Sequence, residues 1–490
     1  MLRSFPAVLL LTGLLLAGCL GGDREGREDR DGPEGHGAQG LSTHCDADRP
    51  AVAHAPDGEP RPALFTLIPC ASKTGFVSRE PTIGLTASGA VFHYPAMLGD
   101  NTEPTGVAVS TDRGETWTHS LPAEAGVPTH PSSLDPYLYV DPVTDRVFTD
   151  DLLNPFCSYS SWSDDEGATW DNTVAGCFEA DHQTIFAGPP TVSQPDGYPN
   201  VVYRCAINAV ALGGGGTMST CQKSTDGGRV WQPFQEPAFA QDVDKLPDVC
   251  GGAHGHGIAD ADGTIYLPKG HCGVPMVAIS DDEGASWRRV AVSTMATSSH
   301  DVGIGIDPDG RLYASWQGPD DLPYLAHSSD KGATWSEPIL MAAPGVVDAG
   351  FTELYVGGVG KVVVVYYGTQ QEASAPDRTY EPYLTVSYDI LEADSTLYSA
   401  SLTDPDVDAY VVGSCCGGVQ DFIDVRIGPD GTPWAALIDD CLGDGGRTCS
   451  TREVAPGVEE QLDTQREGVA GWLEGGPSLW DDADTNGPYP

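Results

Sequence analysis

Ser110-Thr111-Asp112-Arg113-Gly114-Glu115-Thr116-Trp117, STDRGETW, is the stretch on which the reading of the fold turns. Ser and Asp side chains two residues apart hydrogen-bond nearby backbone and close a tight turn. The glycine that follows takes a φ that a β-carbon would forbid. The tryptophan offers a large ring to bury beneath the turn. Apolar Gly106-Val107-Ala108-Val109 leads in, so the stretch reads as the corner of a β-hairpin.

The pattern recurs as SDDEGATW (Ser163 to Trp170), STDGGRVW (Ser224 to Trp231), SDDEGASW (Ser280 to Trp287) and SSDKGATW (Ser328 to Trp335). In the third copy Val230 stands in the Thr or Ser slot. The pattern aspartates are Asp112, Asp165, Asp226, Asp282 and Asp330, spaced by 53, 61, 56 and 48 residues. That period suits one four-stranded propeller blade. Five copies of one group are turn chemistry, not five catalytic carboxylates.

A second signal, a turn with Gly or Asp followed by a β-rich strand, precedes each copy. Examples are Ser88-Gly89 before AVFHY, Asp262-Gly263 before TIYL and Asp309-Gly310 before RLYASW. Two more such units, Val359-Gly360 before KVVVVYY and Asp430-Gly431 before TPWAALI, carry no copy of the motif. The seven units predict an all-β, seven-bladed β-propeller, with six blades as the alternative. Leu64 to Ile68 is the expected source of the strand that closes the ring and removes exposed edges.

The chain has 490 residues, with 60 glycines and 39 prolines, which suits many short strands and turns. Its 71 acids against 25 bases give a net charge of −46, which repels nucleic acid and excludes that class of partner. Such a surface fits adaptation to high salt or a plain solvated acidic exterior. The N-terminus has Arg3, then an apolar run from Ala7 to Leu16 of signal-peptide length. It ends in Leu16-Ala17-Gly18-Cys19, which resembles a prokaryotic lipobox. That resemblance implies lipidation of Cys19 and a place on the extracytoplasmic face of the cell membrane. An ordinary secretory signal or a short membrane anchor are the alternatives. The expected organisation is a signal peptide over 1–18, a disordered tether over 19–60, a propeller over 61–476 and a flexible tail over 477–490.

Apart from Cys19, twelve cysteines remain, an even number in an exported chain, which favours disulfides. Spacing suggests Cys45 with Cys70, Cys157 with Cys177, Cys205 with Cys221, Cys250 with Cys272, and Cys441 with Cys449. Adjacent Cys415 and Cys416 either pair with each other or disturb this set. A zinc site is disfavoured, since no Cys-x-x-Cys occurs.

A propeller's ligand site lies at one mouth of its channel, where the inner strands begin. Ahead of those strands stand Arg79 and Glu80, His130 and Asp135, Asp181 and His182, and His254 and His256. The later units add His300 and Asp301, Asp348 with Phe351, and Asp421. Converging imidazoles and carboxylates suit ligand binding, a divalent cation, or general acid and base work. Arg79, Glu80, Asp135, Asp301 and Asp421 are the catalytic candidates; the others are candidate ligand-binding groups. Strand capping and hydrogen bonding between blades is the structural alternative.

The repeated motif is similar to the Asp box of the sialidase superfamily, also called the BNR repeat family, over roughly Arg79 to Asp440. That resemblance implies the propeller; it does not fix the activity, since Asp boxes also occur in other glycosidases and in receptors. Sialidases hold a sugar carboxylate with three arginines and attack with a tyrosine. Ser78-Arg79-Glu80-Pro81 resembles the segment of their first arginine, so Arg79 is the matching carboxylate ligand. Where their nucleophile stands, Gly350-Phe351-Thr352-Glu353-Leu354 offers Phe351, which has no hydroxyl. Arg204 and Arg426 lie in no motif that completes a triad. The leading expectation is a monomeric module that recognises a glycan or surface ligand at the channel mouth. A sialidase-like glycoside hydrolase and a cell-envelope scaffold are the alternatives.

Overall fold

A computed structural model describes residues 43–97, 105–122, 136–153, 157–176, 179–208, 218–240, 253–299, 301–372, 380–403, 423–439 and 467–481. Among them the strands form seven antiparallel sheets, the blades of a propeller, and no helix is present. Blade 1 runs outward through Thr82–Leu85, Val91–Ala96, Gly106–Ser110 and Thr118–Ser120. Blades 2 to 5 repeat this order, with inner strands Tyr137–Val140, Glu179–Gly188, Ile258–Ala259 and Val302–Ile306. The inner strands of blades 6 and 7 are Asp348–Val356 and Asp424–Ile427.

Ring closure uses both ends of the chain. Blade 7 takes two strands from Asp424–Ile427 and Pro433–Asp439 and a third from Glu467–Glu474, and its fourth is Ile68–Val77. Ile68 lies opposite Glu474 and Cys70 opposite Trp472. The closing strand therefore begins where the expected Leu64–Ile68 segment ends; Leu64 itself is exposed. The apolar run misleads because much of the true strand is polar yet buried. Lys73 on it reaches Asp439 at 2.8 Å and Glu467 at 3.6 Å.

The packed body is wider than composition indicates at both ends. His44–Cys45 adds to the outer edge of blade 7, and Val52–His54 to that of blade 6. These pairings order part of the segment read as tether, because two outer edges otherwise lack partners. Beyond 477, Leu479 and Trp480 are buried, and Trp480 donates to the Gly428 carbonyl at 2.8 Å. The N-terminal residues up to 42, Cys19 included, and those after 481 lie outside the described residues.

Strands between neighbouring blades are covered on both faces. Val362–Thr369, the second strand of blade 6, is buried throughout, which explains its four consecutive valines. Close approach of inner strands sets the small residues: a Cβ on Gly84 would come within 2.4 Å of Leu138 in the next blade. Cys45–Cys70 and Cys205–Cys221 are disulfides as spaced. Cys157 and Cys272 are also disulfide-bonded, while Cys177, Cys250, Cys415, Cys416, Cys441 and Cys449 lie outside the described residues.

Each Asp box repeats one geometry. The Ser110 hydroxyl donates to Asp112 at 2.8 Å and accepts from the Gly114 amide at 2.8 Å, while Asp112 accepts from the Thr116 amide at 2.9 Å. The boxes of Asp165, Asp226, Asp282 and Asp330 match it. A sixth box stands in blade 6, where the sequence reading expects none. Ser387 donates to Asp389 at 3.0 Å, and Asp389 accepts from the Thr396 amide at 2.8 Å. Its Asp-to-amide spacing is seven residues instead of four, so the pattern hides it.

The boxes also tie blade to blade. Their fourth residues Arg113, Glu166, Glu283 and Lys331 have φ between 55° and 62°. Each side chain reaches the preceding blade: Arg113 meets Asp430, Glu166 takes the Thr86 and Ser88 hydroxyls, and Lys331 meets Asp262. Glu283 is the strongest of these latches. Its Oε1 accepts from the amides of Thr191, Val192 and Ser193 at 2.8, 2.8 and 2.9 Å, and its Oε2 meets Lys223 at 2.8 Å. Burial pushes this carboxyl up, but Lys223 and the Ser193 hydroxyl and amide outweigh that and hold it at about 2.

Glu283→Ala leaves three amides and a half-buried ammonium without their acceptor, so it should cost roughly 2–4 kcal/mol. Lys331→Ala, at a largely exposed ammonium shared by Asp260 and Asp262, should cost less than Glu283→Ala. Because the Glu283 carboxyl is depressed in the fold, its charge stabilises above the ordinary carboxylate range and loses that effect as pH falls toward about 2. Urea unfolding should therefore separate the wild type from Glu283→Gln more widely at about pH 7 than at about pH 3.

Candidate functional site

The inner strands of successive blades lie side by side around the axis, except that the first strand of blade 5 sits against the second strand of blade 4. What their side chains can do is set by the pleat, since alternate residues of each strand face the two flanking blades. His256, just ahead of the inner strand of blade 4, joins three blades. Its Nδ1 lies 3.4 Å from Glu353 Oε2 of blade 6, and its ring centroid lies 4.6 Å from that of Tyr137 of blade 2.

Tyr137 extends the cluster to blade 7. Its hydroxyl accepts from Arg426 Nη2 at 3.1 Å. Arg426 is also held by the buried Asp424 carboxylate and lies 5.3 Å over the Tyr355 ring. Asp424 accepts from the Ile83 amide of blade 1 at 3.0 Å. The Thr184 hydroxyl of blade 3 bonds Tyr137 and accepts from the Gly257 amide at 3.3 Å. Blade 5 contributes a glycine: a Cβ on Gly303 would fall 2.4 Å from Glu353 Oε1. All seven blades thus contribute to one polar floor.

The electrostatics of this floor are set by burial and by the Asp424–Arg426 pair. Burial raises the Asp424 carboxyl, against the pull of Arg426 and His256. Burial lowers the Arg426 guanidinium, but Asp424 and then Tyr137 outweigh it and drive it upward. Burial raises the Tyr137 hydroxyl, so it stays protonated and is a poor nucleophile.

Nearer the strand starts stands a second layer. His182, with φ of 55°, places Nε2 3.5 Å from Asp301 Oδ1, joining blade 3 to the segment that enters blade 5. The His254 ring lies 6.1 Å from that of His182 and its Nδ1 is 2.9 Å from the Gly255 carbonyl. Arg79 and Glu80 lie just ahead of blade 1. Burial lowers the Arg79 guanidinium, its Nε is buried without a hydrogen-bond partner, and Glu80 opposes the shift.

Of the mouth residues expected from sequence, His182 meets Asp301 and lies beside His254, while His256 meets Glu353 and Tyr137. Asp348 instead begins the inner strand of blade 6 opposite Thr369. His130, Asp135, His300 and Asp421 lie outside the described residues, as does the side chain of Asp181. Sequence reasoning missed Tyr137, Glu353 and Asp424 and gave Arg426 no role. They sit within the inner strands, where no local pattern marks a residue that meets side chains of other blades.

Among the described residues, one group of three metal-type donors clusters, Cys45, Cys70 and Glu474. Its cysteines form a disulfide, so it is no metal centre. Phe351 is buried, with its ring edge-on to Tyr367 at 6.4 Å. Arg204 is fully buried and held by Asp150 at 2.7 Å between blades 2 and 3, and Asp150 lies opposite Tyr137 in the blade 2 ladder.

No family model matches the chain, and no curated protein matches it. Solved structures do match. The six-bladed lectin of Aleuria aurantia is 12% identical, with a TM-score of 0.41, covering 70% of this chain and all of the lectin. The intramolecular trans-sialidase of Ruminococcus gnavus is 16% identical, with a TM-score of 0.35 over 74% of this chain and 91% of its own. A NanB sialidase variant of Streptococcus pneumoniae is 11% identical, with a TM-score of 0.38 over 88% and 94%.

Arg426→Leu should strand the Asp424 carboxylate in the core and cost about 3–5 kcal/mol. The double change Arg426→Leu with Asp424→Asn should recover most of that loss in thermal melts. Equal melting temperatures for the single and double variants would contradict a paired floor.

Proposed function

We propose that this seven-bladed propeller is a recognition module that binds a glycan, or another ligand of comparable polarity, at the channel mouth. The observation that carries this reading is the two-layer arrangement there. A floor of groups paired across blades, His256, Glu353, Tyr137, Arg426 and Asp424, adjoins a cluster of His182, His254 and Asp301, and Arg79 stands just ahead of the first inner strand. Such groups offer fixed donors and acceptors at little ordering cost, which suits polar recognition.

Several observations set binding ahead of sialoside cleavage. Phe351 cannot attack an anomeric carbon. Arg204 and Arg426 are already neutralised by Asp150 and Asp424, which leaves Arg79 without partners for a three-arginine carboxylate site. Glycoside hydrolysis by other residues is the second reading, favoured by two buried carboxylates of adjacent blades, Asp301 and Glu353. The module acts as a monomer outside the cytoplasmic membrane, tethered through a lipidated Cys19.

A glycan array should give specific binding that Arg79→Ala weakens roughly tenfold with an unchanged melting temperature. Fluorogenic sialosides and other glycosides should not turn over. Turnover that Glu353→Gln or Asp301→Asn abolishes would replace this reading with the second. Absence of both binding and turnover would leave a scaffold. In bacteria that express the full chain, Cys19→Ala should move the protein from the membrane fraction to the soluble one; unchanged fractionation would contradict the anchor.

A further inference from the structure

A cavity of about 420 Å³ opens on blade 6, apart from the floor cluster. It lies at the strand ends where Asp348 opposes Thr369, Gly368 opposes Glu381 and Tyr383 opposes Ser401. Its polar lining includes Arg49, Gln370, Gln371, Glu381, Tyr383 and Ser401. Pro50 and Pro344 supply an apolar wall. The N-terminal segment is part of this site: it joins blade 6 through Val52–His54 and so carries Arg49 to the cavity.

The polar groups are held in place from behind. The Tyr383 ring is buried and stacked on Tyr366 at 5.5 Å, with planes 6° apart. Gln370 Nε2 donates to its hydroxyl at 3.5 Å. Glu381 Oε2 accepts from the Ser401 hydroxyl at 2.9 Å. Arg49 donates through Nε to Asp46 at 2.6 Å and through Nη2 to the Thr403 carbonyl. Burial raises the Tyr383 hydroxyl to about 12, with Glu381 adding to the rise and Gln370 and Arg49 opposing it.

We infer that this cavity is a second binding site, for a neutral saccharide. Its volume lies in the range of small-molecule sites. The Arg49 guanidinium is already paired with Asp46, so the Glu381 carboxylate is the acceptor left to the cavity and an anionic ligand is disfavoured. A carboxylate accepts from vicinal hydroxyls and a guanidinium donates to them, while the proline wall covers a C–H face. The site is independent of the channel mouth.

The test is saturation-transfer NMR on the full chain with methyl glycosides of glucose, galactose, mannose and fucose. At least one should receive saturation, and Glu381→Gln should weaken its binding about tenfold while Arg79→Ala leaves it unchanged. Should Glu381→Gln melt early, Gln370→Ala on the exposed rim serves as the second variant. Transfer to none of the four, or binding that these cavity variants leave at wild-type strength, overturns the assignment. Binding lost only in Arg79→Ala places the saccharide at the mouth and overturns it as well.

Discussion

The pairing of Glu467–Glu474 with Ile68–Val77 is the contact on which the rest of the molecule depends. Without it blade 7 lacks its fourth strand, and the ring has two free ends. With it, each blade is flanked by two others. The edge it removes is also reinforced locally: Trp434 and Trp472 stack at 4.4 Å, and Lys73 on the closing strand is buried against Asp439 and Glu467. A buried lysine between two carboxylates gains little net energy, yet it penalises any register that leaves a charge alone.

Closure is what makes the floor possible. Residues as far apart in sequence as Ile83, Tyr137, His256, Glu353 and Arg426 meet because seven inner strands share one axis. The strongly acidic chain spends several of its few cations inside, where Arg204, Arg426 and Lys73 each neutralise a buried carboxylate. The rest of the chain is left with most of the negative charge.

Local chemistry was legible in the sequence, and long-range chemistry was not. The Asp boxes read correctly because all their partners lie within a few residues, and the disulfides Cys45–Cys70 and Cys205–Cys221 follow from short loops. The box of Ser387 and Asp389 escaped because a longer loop breaks the spacing. The fourth box positions looked like arbitrary surface residues; their partners sit one blade earlier, some 60 to 90 residues away for Glu283. The closing strand escaped because Ser72, Lys73 and Thr74 are buried by pairing and packing that no alternation records. At the mouth, the ionisable residues ahead of strands include His182 and Asp301, which meet at 3.5 Å. The strand-borne Tyr137, Glu353 and Asp424 needed the pleat and the ring before their convergence showed.

Hydrogen exchange resolved by peptide tests the closed ring most directly, because amides in a closed propeller open only with the global unit. Peptides covering 68–77 and 467–474 should exchange as slowly as the second strand of blade 4, Ile265–His271. Rapid exchange confined to those two segments, with the other blades still protected, would mean that the ring is open and that the floor is not assembled as described.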